Sequence, residues 1–496
     1  MFQGNIESYS IKSDIDVAVD ITYDEAGFVK RYMLRVPEFG PGTRAMLNNL
    51  KSKVISDVNV AGDKLLDVKF VEEMKGHFRT KARSLMETQL PEIPKEQRDK
   101  LIAVIIHEMV GLGYIEFMLD DGNLEEIVVN SAEEPVWVYH KKYGWLKSNI
   151  FISPEAEIQN YASIIARRVG KQVTILNPLL DAHLVTGDRA NASLHPISSR
   201  GNTITIRRFR RDPWTVTDFI NGGTGSAELM SLIWLAMEYE LNIMVSGGTG
   251  SGKTTLLNVM MPFIQPNQRV LTIEDTRELQ LPEFLHWVPM TTREPNAEGK
   301  GQISMLDLLV NALRMRPDRI IVGEVRRQKE AEVMFEAMHT GHAVYATVHA
   351  NTAEETIQRL TSPPIEIAPS LLEAVHLNAV MFRNRRLGVR RILQLAEFVP
   401  MKSGAQGGTT LKPNILFRWR AQTDTIEKYA ESIRLFDELA LHTGYTAQEI
   451  NQNLAEKQRV LEYMMREKIR DINEVGKAIA QYYSDPETIF KKAGIR

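Results

Sequence analysis

The chain has 496 residues, 43% of them hydrophobic and 25% charged, which excludes a largely disordered or fibrous protein. That length predicts about two to four domains. Its 60 Lys and Arg against 63 Asp and Glu leave a formal charge of -3, so no global field draws it to nucleic acid. The absence of cysteine excludes disulfides, thiolate metal sites and a Cys nucleophile, and fits a reducing compartment.

In chain order, residues 1–10 are polar and lack the basic and apolar regions of a signal peptide. The most apolar stretches, 101–119 and 229–245, are broken by His107, Glu108 and Glu116 and by Glu238 and Glu240. Neither offers the roughly 18 uninterrupted apolar residues of a membrane span. A cytoplasmic protein is expected, with any membrane role peripheral. Strand signals at 17–23 and 29–36 precede a loop over 37–42 that contains Pro37 and Pro41. Pro91 and Pro94 mark a linker over 89–95, before helical periodicity over 96–110. Strands are predicted at 124–130, 136–140 and 203–206, the last running into the basic cluster Arg207-Arg208-Phe209-Arg210-Arg211. Pro213 and the run Asn221-Gly222-Gly223-Thr224-Gly225-Ser226 give the clearest boundary. The expected organisation is therefore an α+β segment over 1–85, an arginine-bearing α+β domain over 86–222, a nucleotide-binding α/β domain over 223–425 and a helical extension over 426–496.

Beyond the boundary, apolar strands at 242–246, 269–273, 319–322 and 343–348 alternate with amphipathic helices, as a parallel α/β domain requires. A second basic cluster, Arg383 to Arg391, is expected to be structural. In the tail, Thr446 and Glu449 form a capping box, opening a helix whose apolar face is expected to include Leu454, Leu461, Met465, Ile469 and Ile472.

The α/β domain opens on a phosphate-binding loop. Gly247, Gly248, Thr249, Gly250, Ser251, Gly252, Lys253 and Thr254 match G-x-x-x-x-G-K-[ST]; Thr255 is a further nucleotide-binding candidate, and a helix-forming run over 256–261 follows. Glycines let the backbone wrap around phosphates and present N–H groups at a helix N-terminus. Lys253 can then reach the β/γ-phosphates, and the Thr254 hydroxyl can ligate Mg²⁺, so ATP with Mg²⁺ is the expected ligand. Such a loop also needs an acid at a neighbouring strand end. Glu324 follows the apolar run 320–322 and Gly323, and Glu274 ends the strand that begins at Val270. Which of the two holds the metal and which activates water stays open. His349 follows the strand at 343–348, where it can contact a γ-phosphate or serve as a structural histidine. Basic groups that neutralise transition-state charge can come from another domain or subunit. Arg189, Arg207 and Arg208 are the upstream candidates.

Together these motifs resemble, in order, those of the secretion ATPase superfamily that powers type II and type IV secretion, type IV pili and archaella. Gly247–Thr254 is like its Walker A; 272–279, with Glu274, Asp275 and Glu278, resembles its aspartate box. The run 313–326, with Glu324 and Arg326, looks like its Walker B, and 339–351, with His349, like its histidine box. The resemblance covers roughly residues 85–425. It implies a RecA-like ATPase domain, a homo-hexameric ring with nucleotide between the two domains, and arginines at Arg189, Arg207 and Arg208. It also implies domain closure about a 212–226 linker, and a polytopic membrane platform protein through which pilin-like subunits are assembled. Mg²⁺ would be held by Thr254 and Glu324, and no direct nucleic-acid contact is expected. The run Glu274-Asp275-Thr276-Arg277-Glu278-Leu279 and the missing tetracysteine zinc motif favour the archaeal branch. An archaellum motor stays as an alternative, as does a nucleic-acid translocase using residues 200–211; against the translocase stand the net charge and the aspartate and histidine boxes.

Overall fold

The computed structural model describes residues 5–23, 28–36, 42, 46, 49, 68–89, 91–184, 187–209, 212–295, 299–403 and 408–495. Most of the expected 37–42 loop, Leu90 of the 89–95 linker, and Arg210 and Arg211 of the basic cluster lie outside these. The chain divides into two compact units, Met1–Arg210 and Arg211–Arg496.

The first unit is built on a nine-stranded sheet. Its strands are β1 (Asn5–Lys12), β2 (Asp16–Thr22), β3 (Arg31–Arg35), β4 (Leu124–Val129), β5 (Pro135–His140), β6 (Gly144–Phe151), β7 (Leu179–His183), β8 (Arg189–Ser193) and β9 (Thr203–Arg207). They lie in the order β1-β2-β3-β6-β5-β4-β9-β8-β7. In β5, Val136, Val138 and His140 are buried while Pro135, Trp137 and Tyr139 are half-buried, the period-two pattern of a sheet with one covered face. Ile115, Phe117, Met118, Ile158, Tyr161 and Ile165 cover that face from helices. Helix Val68–Gln89 places Met74, Phe78, Ala82 and Met86 at four-residue intervals against Leu101, Ile102 and Ile105 of helix Lys95–Val110. Because β3 pairs with β6, the strands of residues 5–35 share a sheet with those of the domain expected from residue 86.

The second unit begins twelve residues before the expected boundary after Gly222. The glycine-bearing stretch is anchored to this unit and is not a free linker. Thr217 donates to the Ile469 carbonyl at 2.9 Å, Arg470 pairs with Asp212 and Asp218 at 2.6 and 2.7 Å, and Arg391 donates to the Gly222 carbonyl at 3.1 Å. The sheet contains β10 (Ile243–Gly247), β11 (Arg269–Glu274), β12 (His286–Thr291), β13 (Arg319–Val322), β14 (Ala343–Val348), β15 (Leu377–Asn384), β16 (Val389–Ser403), β17 (Gly408–Arg420) and β18 (Thr425–Lys428). Its order is β12-β11-β13-β14-β10-β15-β16-β17-β18. Strands β10 to β15 are parallel, and β16 to β18 extend the sheet antiparallel. Every residue of β10, β13 and β14 is buried, as central parallel strands covered on both faces require.

The helical tail forms part of this core. Leu435, Ile450, Val460, Leu461, Met464, Val475 and Ile479 pack in one cluster with helix Ala227–Glu238 and the sheet. Trp234 stacks on Phe263 at 5.4 Å and donates to the Tyr483 hydroxyl at 2.7 Å. The capping box is present at Thr446, but the helix ends at Arg466. Met464, not Met465, is its buried methionine. Ile469 lies beyond the helix end and Ile472 opens a new helix, because Lys468 adopts a positive φ of 56° and Asp471 caps the N–H groups of Asn473 and Glu474. The expected fold class is therefore observed: an α+β first unit, an α/β nucleotide-loop domain and a helical tail.

Candidate functional site

Parallel strands end at one edge of a sheet, and in α/β domains ligands bind at that edge. Here β10 runs into the phosphate loop, β11 ends at Glu274, β13 is followed by Gly323-Glu324, and β14 by His349. Residues far apart in sequence meet there because the sheet order interleaves their strands.

Helix Lys253–Met260 starts on the loop. At Gly247, φ is 151° and an added Cβ would lie 2.5 Å from both the Met381 carbonyl and the Ser251 hydroxyl, so only glycine lets the loop leave the strand here. Ser251 Oγ donates to the Gly248 carbonyl at 2.8 Å and closes the turn. Lys253 folds back over the loop, Nζ donating to the Gly247 and Gly248 carbonyls at 3.0 and 3.3 Å. Burial pushes its pKa down, and the nearby Glu324 opposes that shift.

Glu324 is the hub of the side-chain network. Its Oε2 accepts from Arg326 Nε at 2.8 Å and Nη2 at 2.5 Å, and its Oε1 lies 2.7 Å from His349 Nε2. His349 Nδ1 is in turn 3.4 Å from Lys253 Nζ. Burial, then the Lys253 charge, lowers the His349 pKa, which favours a neutral ring. Arg326 also bridges to Asp275 Oδ2 at 2.8 Å, and the Thr292 hydroxyl donates to Asp275 Oδ1 at 3.2 Å. Arg326 thus links the ends of β11 and β13. A cleft of about 410 Å³ opens beside this group, between Gly248, Thr249, His349, Asn351, Glu355 and Arg359.

Glu274 is placed differently. It is buried; its Oε1 accepts from the backbone N–H groups of Glu278 and Leu279 at 2.9 and 3.0 Å, and its Oε2 has no hydrogen-bond partner. Burial pushes its pKa up to about 7 against those two donors. Its backbone and Cγ lie against Gly323, directly beside Glu324.

The three upstream arginines belong to the first unit. Arg189 and Arg207 are directly opposed across β8 and β9, with Arg189 3.8 Å from Asp181. Arg208 donates to the carbonyls of Asp121 and Leu124, the latter at 3.2 Å, and so braces the start of β4. Arg326 and Arg390 stand near the nucleotide loop but were not among the candidates read from the sequence. Arg326 was legible only as part of a motif. Arg390 belongs to the cluster expected to be structural, yet its Nε donates to the Gly250 carbonyl at 3.1 Å. The density of arginine over 383–391 was the available signal.

The loop fits a nucleotide polyphosphate: the Gly247 turn leaves no room for a side chain, and Lys253 and the helix start supply positive charge. Among the described residues no group of three or more His, Asp or Glu is arranged to hold a metal ion. A Mg²⁺ ion bound through one or two side chains plus phosphates, with Thr254 and Glu324 at hand, is compatible with that arrangement.

Residues 182–389 match the family model described as type II/IV secretion system protein. An uncharacterized protein of Methanocaldococcus jannaschii is 35% identical over 399 residues, which span 79% of this chain and 71% of that protein. The type IV secretion system protein PtlH of Bordetella pertussis is 30% identical over 54% of this chain and 87% of its own length. The solved ATPase DotB of Legionella pneumophila is 20% identical over 74% of this chain and 95% of its own, with a TM-score of 0.43. With the family-model and M. jannaschii matches on top of the motif order, the chain belongs to the type II/IV secretion system protein family, and the M. jannaschii match fits its archaeal branch.

Proposed function

We propose that this protein is an ATP-hydrolysing motor of a type II secretion or type IV pilus-like machine. The observation that carries the reading is the convergence of Lys253, Glu324 and His349 on the edge where β10, β13 and β14 end. Lys253 would exchange its bonds to the Gly247 and Gly248 carbonyls for phosphate oxygens, and Thr254 and Glu324 would hold Mg²⁺. The ion, when bound, neutralises charge on the phosphates. Glu324, whose Oε1 lies 2.7 Å from His349 Nε2, would orient an attacking water and manage its proton. Glu274 is the second acid of the site. Arg189 and Arg207, like charges opposed on one sheet face, are the better candidates for transition-state neutralisation, since Arg208 is committed to backbone carbonyls.

The proposal extends to a homo-hexameric ring, attached peripherally to the membrane through a polytopic platform protein and assembling pilin-like subunits. No described helix is long and apolar enough to cross a membrane. The test is steady-state phosphate release: Lys253→Ala and Glu324→Gln should each lower it at least about 100-fold. Intact rates in either variant would refute the site. Mass photometry with nucleotide, and a pull-down of platform proteins by the wild-type chain, test the ring and its partner.

A further inference from the structure

The cluster Arg383–Arg391 divides into two chemically different sets. Arg391 is neutralised: it makes a bidentate pair with Asp424 at 2.7 Å through each nitrogen and donates to the Gly222 carbonyl. Arg383 and Arg390 are not, for among the described residues neither pairs with a carboxylate. They are direct cross-strand partners on β15 and β16, where like charges repel. Both converge on the phosphate loop. Arg390 Nε holds the Gly250 carbonyl, and Arg383 Nη1 lies 3.0 Å from where a Cβ on Gly250 would be. Met381, two residues before Arg383 on the same strand face, packs its Cε beneath Gly252. This face of the hairpin therefore lies against the loop, while Phe382 on the other face packs on Trp419 at 5.7 Å.

The loop thus has two ends of different character. At Gly247 and Gly248 stand Lys253, His349 and Glu324, the groups suited to the terminal phosphate and its hydrolysis. At Gly250 and Gly252 stand two guanidinium groups that, among the described residues, pair with no carboxylate. Resting on the nucleotide-binding reading above, we propose that Arg383 is a nucleotide-binding residue that grips the inner phosphates, the part that ADP and ATP share, and that Arg390 positions the loop for it. An anion at this end removes the repulsion between the two arginines, and a guanidinium fork matches phosphate oxygens.

Titration with fluorescent ADP and ATP tests the assignment. Arg383→Ala should weaken both by the same factor, about 10–100-fold, as expected for a lost charge-assisted hydrogen bond. Arg383→Lys should recover part of that loss. Arg385→Ala, an exposed charge at the hairpin tip, should bind ADP within about twofold of wild type. Three results would overturn the proposal: unchanged ADP affinity in Arg383→Ala, a loss confined to ATP, or an equal loss in Arg385→Ala, which would mean a diffuse field and not a contact. If wild type binds nucleotide and Lys253→Ala abolishes hydrolysis while Arg383→Ala binds ADP normally, this assignment alone fails. If wild type binds no nucleotide, the reading of the loop fails and takes this assignment with it.

Discussion

Glu274 sits in a position where stability and pH are tied together strongly enough to measure. Burial raises its carboxyl from an ordinary 4.5 to about 7, even though two backbone N–H groups favour the charged form. For an acid whose folded pKa is raised, the favourable contribution is complete below the unfolded pKa and disappears as pH rises through the folded value. At 1.36 kcal/mol for each tenfold change, moving from 4.5 to about 7 corresponds to about 3 kcal/mol in full. Between pH 5 and pH 8.5 about 2.5 kcal/mol of that is lost. Glu274→Gln cannot titrate, and its amide oxygen can still accept from Glu278 and Leu279. Urea unfolding of the nucleotide-free protein, followed by tryptophan fluorescence across this pH range, should show wild type losing about 2.5 kcal/mol more than the variant. Parallel pH profiles would refute the reasoning, because they would mean the carboxyl is solvated or ionised in the folded state. The same variant separates two roles: abolished phosphate release assigns Glu274 to water activation, whereas retained release assigns it to closing the 274–279 turn.

Arg326 is 61% exposed, so its pairs with Glu324 and Asp275 contribute little stability, about 1 kcal/mol at most. Arg326→Ala should nevertheless lower phosphate release about tenfold or more by freeing Glu324 from its orientation, with an almost unchanged thermal midpoint; an unchanged rate would remove Arg326 from the site. Lys457 is fully buried in the tail, ion-paired with Glu238 and 3.0 Å from the Tyr482 hydroxyl. Lys457→Ala should destabilise the second unit by about 3–5 kcal/mol in urea unfolding, because Glu238 is left without its counter-charge. Replacing both partners, as Lys457→Met with Glu238→Gln, should recover most of the loss; a double variant no better than the single would show that packing, not charge, is at stake.

Much of the site was legible because its signals are local. A phosphate loop needs glycine where the backbone turns, lysine and threonine at the helix start, and an apolar strand before it, all within a dozen residues. Glu274, Glu324 and His349 could be located as strand ends for the same reason. What their side chains do could not be read, since that depends on neighbours from other strands. Glu274 and Glu324 both follow apolar runs, yet one bonds its own turn and the other meets His349 and Arg326. Arg383 and Arg391 stand in one basic run, yet β15 and β16 turn one toward Gly250 and the other toward Asp424.

The sequence by itself determined the composition class, four of the parallel strands of the nucleotide domain, the loop chemistry and the family resemblance, because each rests on residue type and short-range periodicity. Tertiary structure decided the rest. It joined residues 5–35 to the sheet of the next domain through β3 and β6, and placed residues 212–226 with the second unit through Arg470, Ile469 and Arg391. It also buried the tail in the core of the nucleotide domain. The physical reason is the same in each case: strand pairing, ion pairs and packing join residues up to a few hundred positions apart, and no local pattern encodes which partner a face will meet.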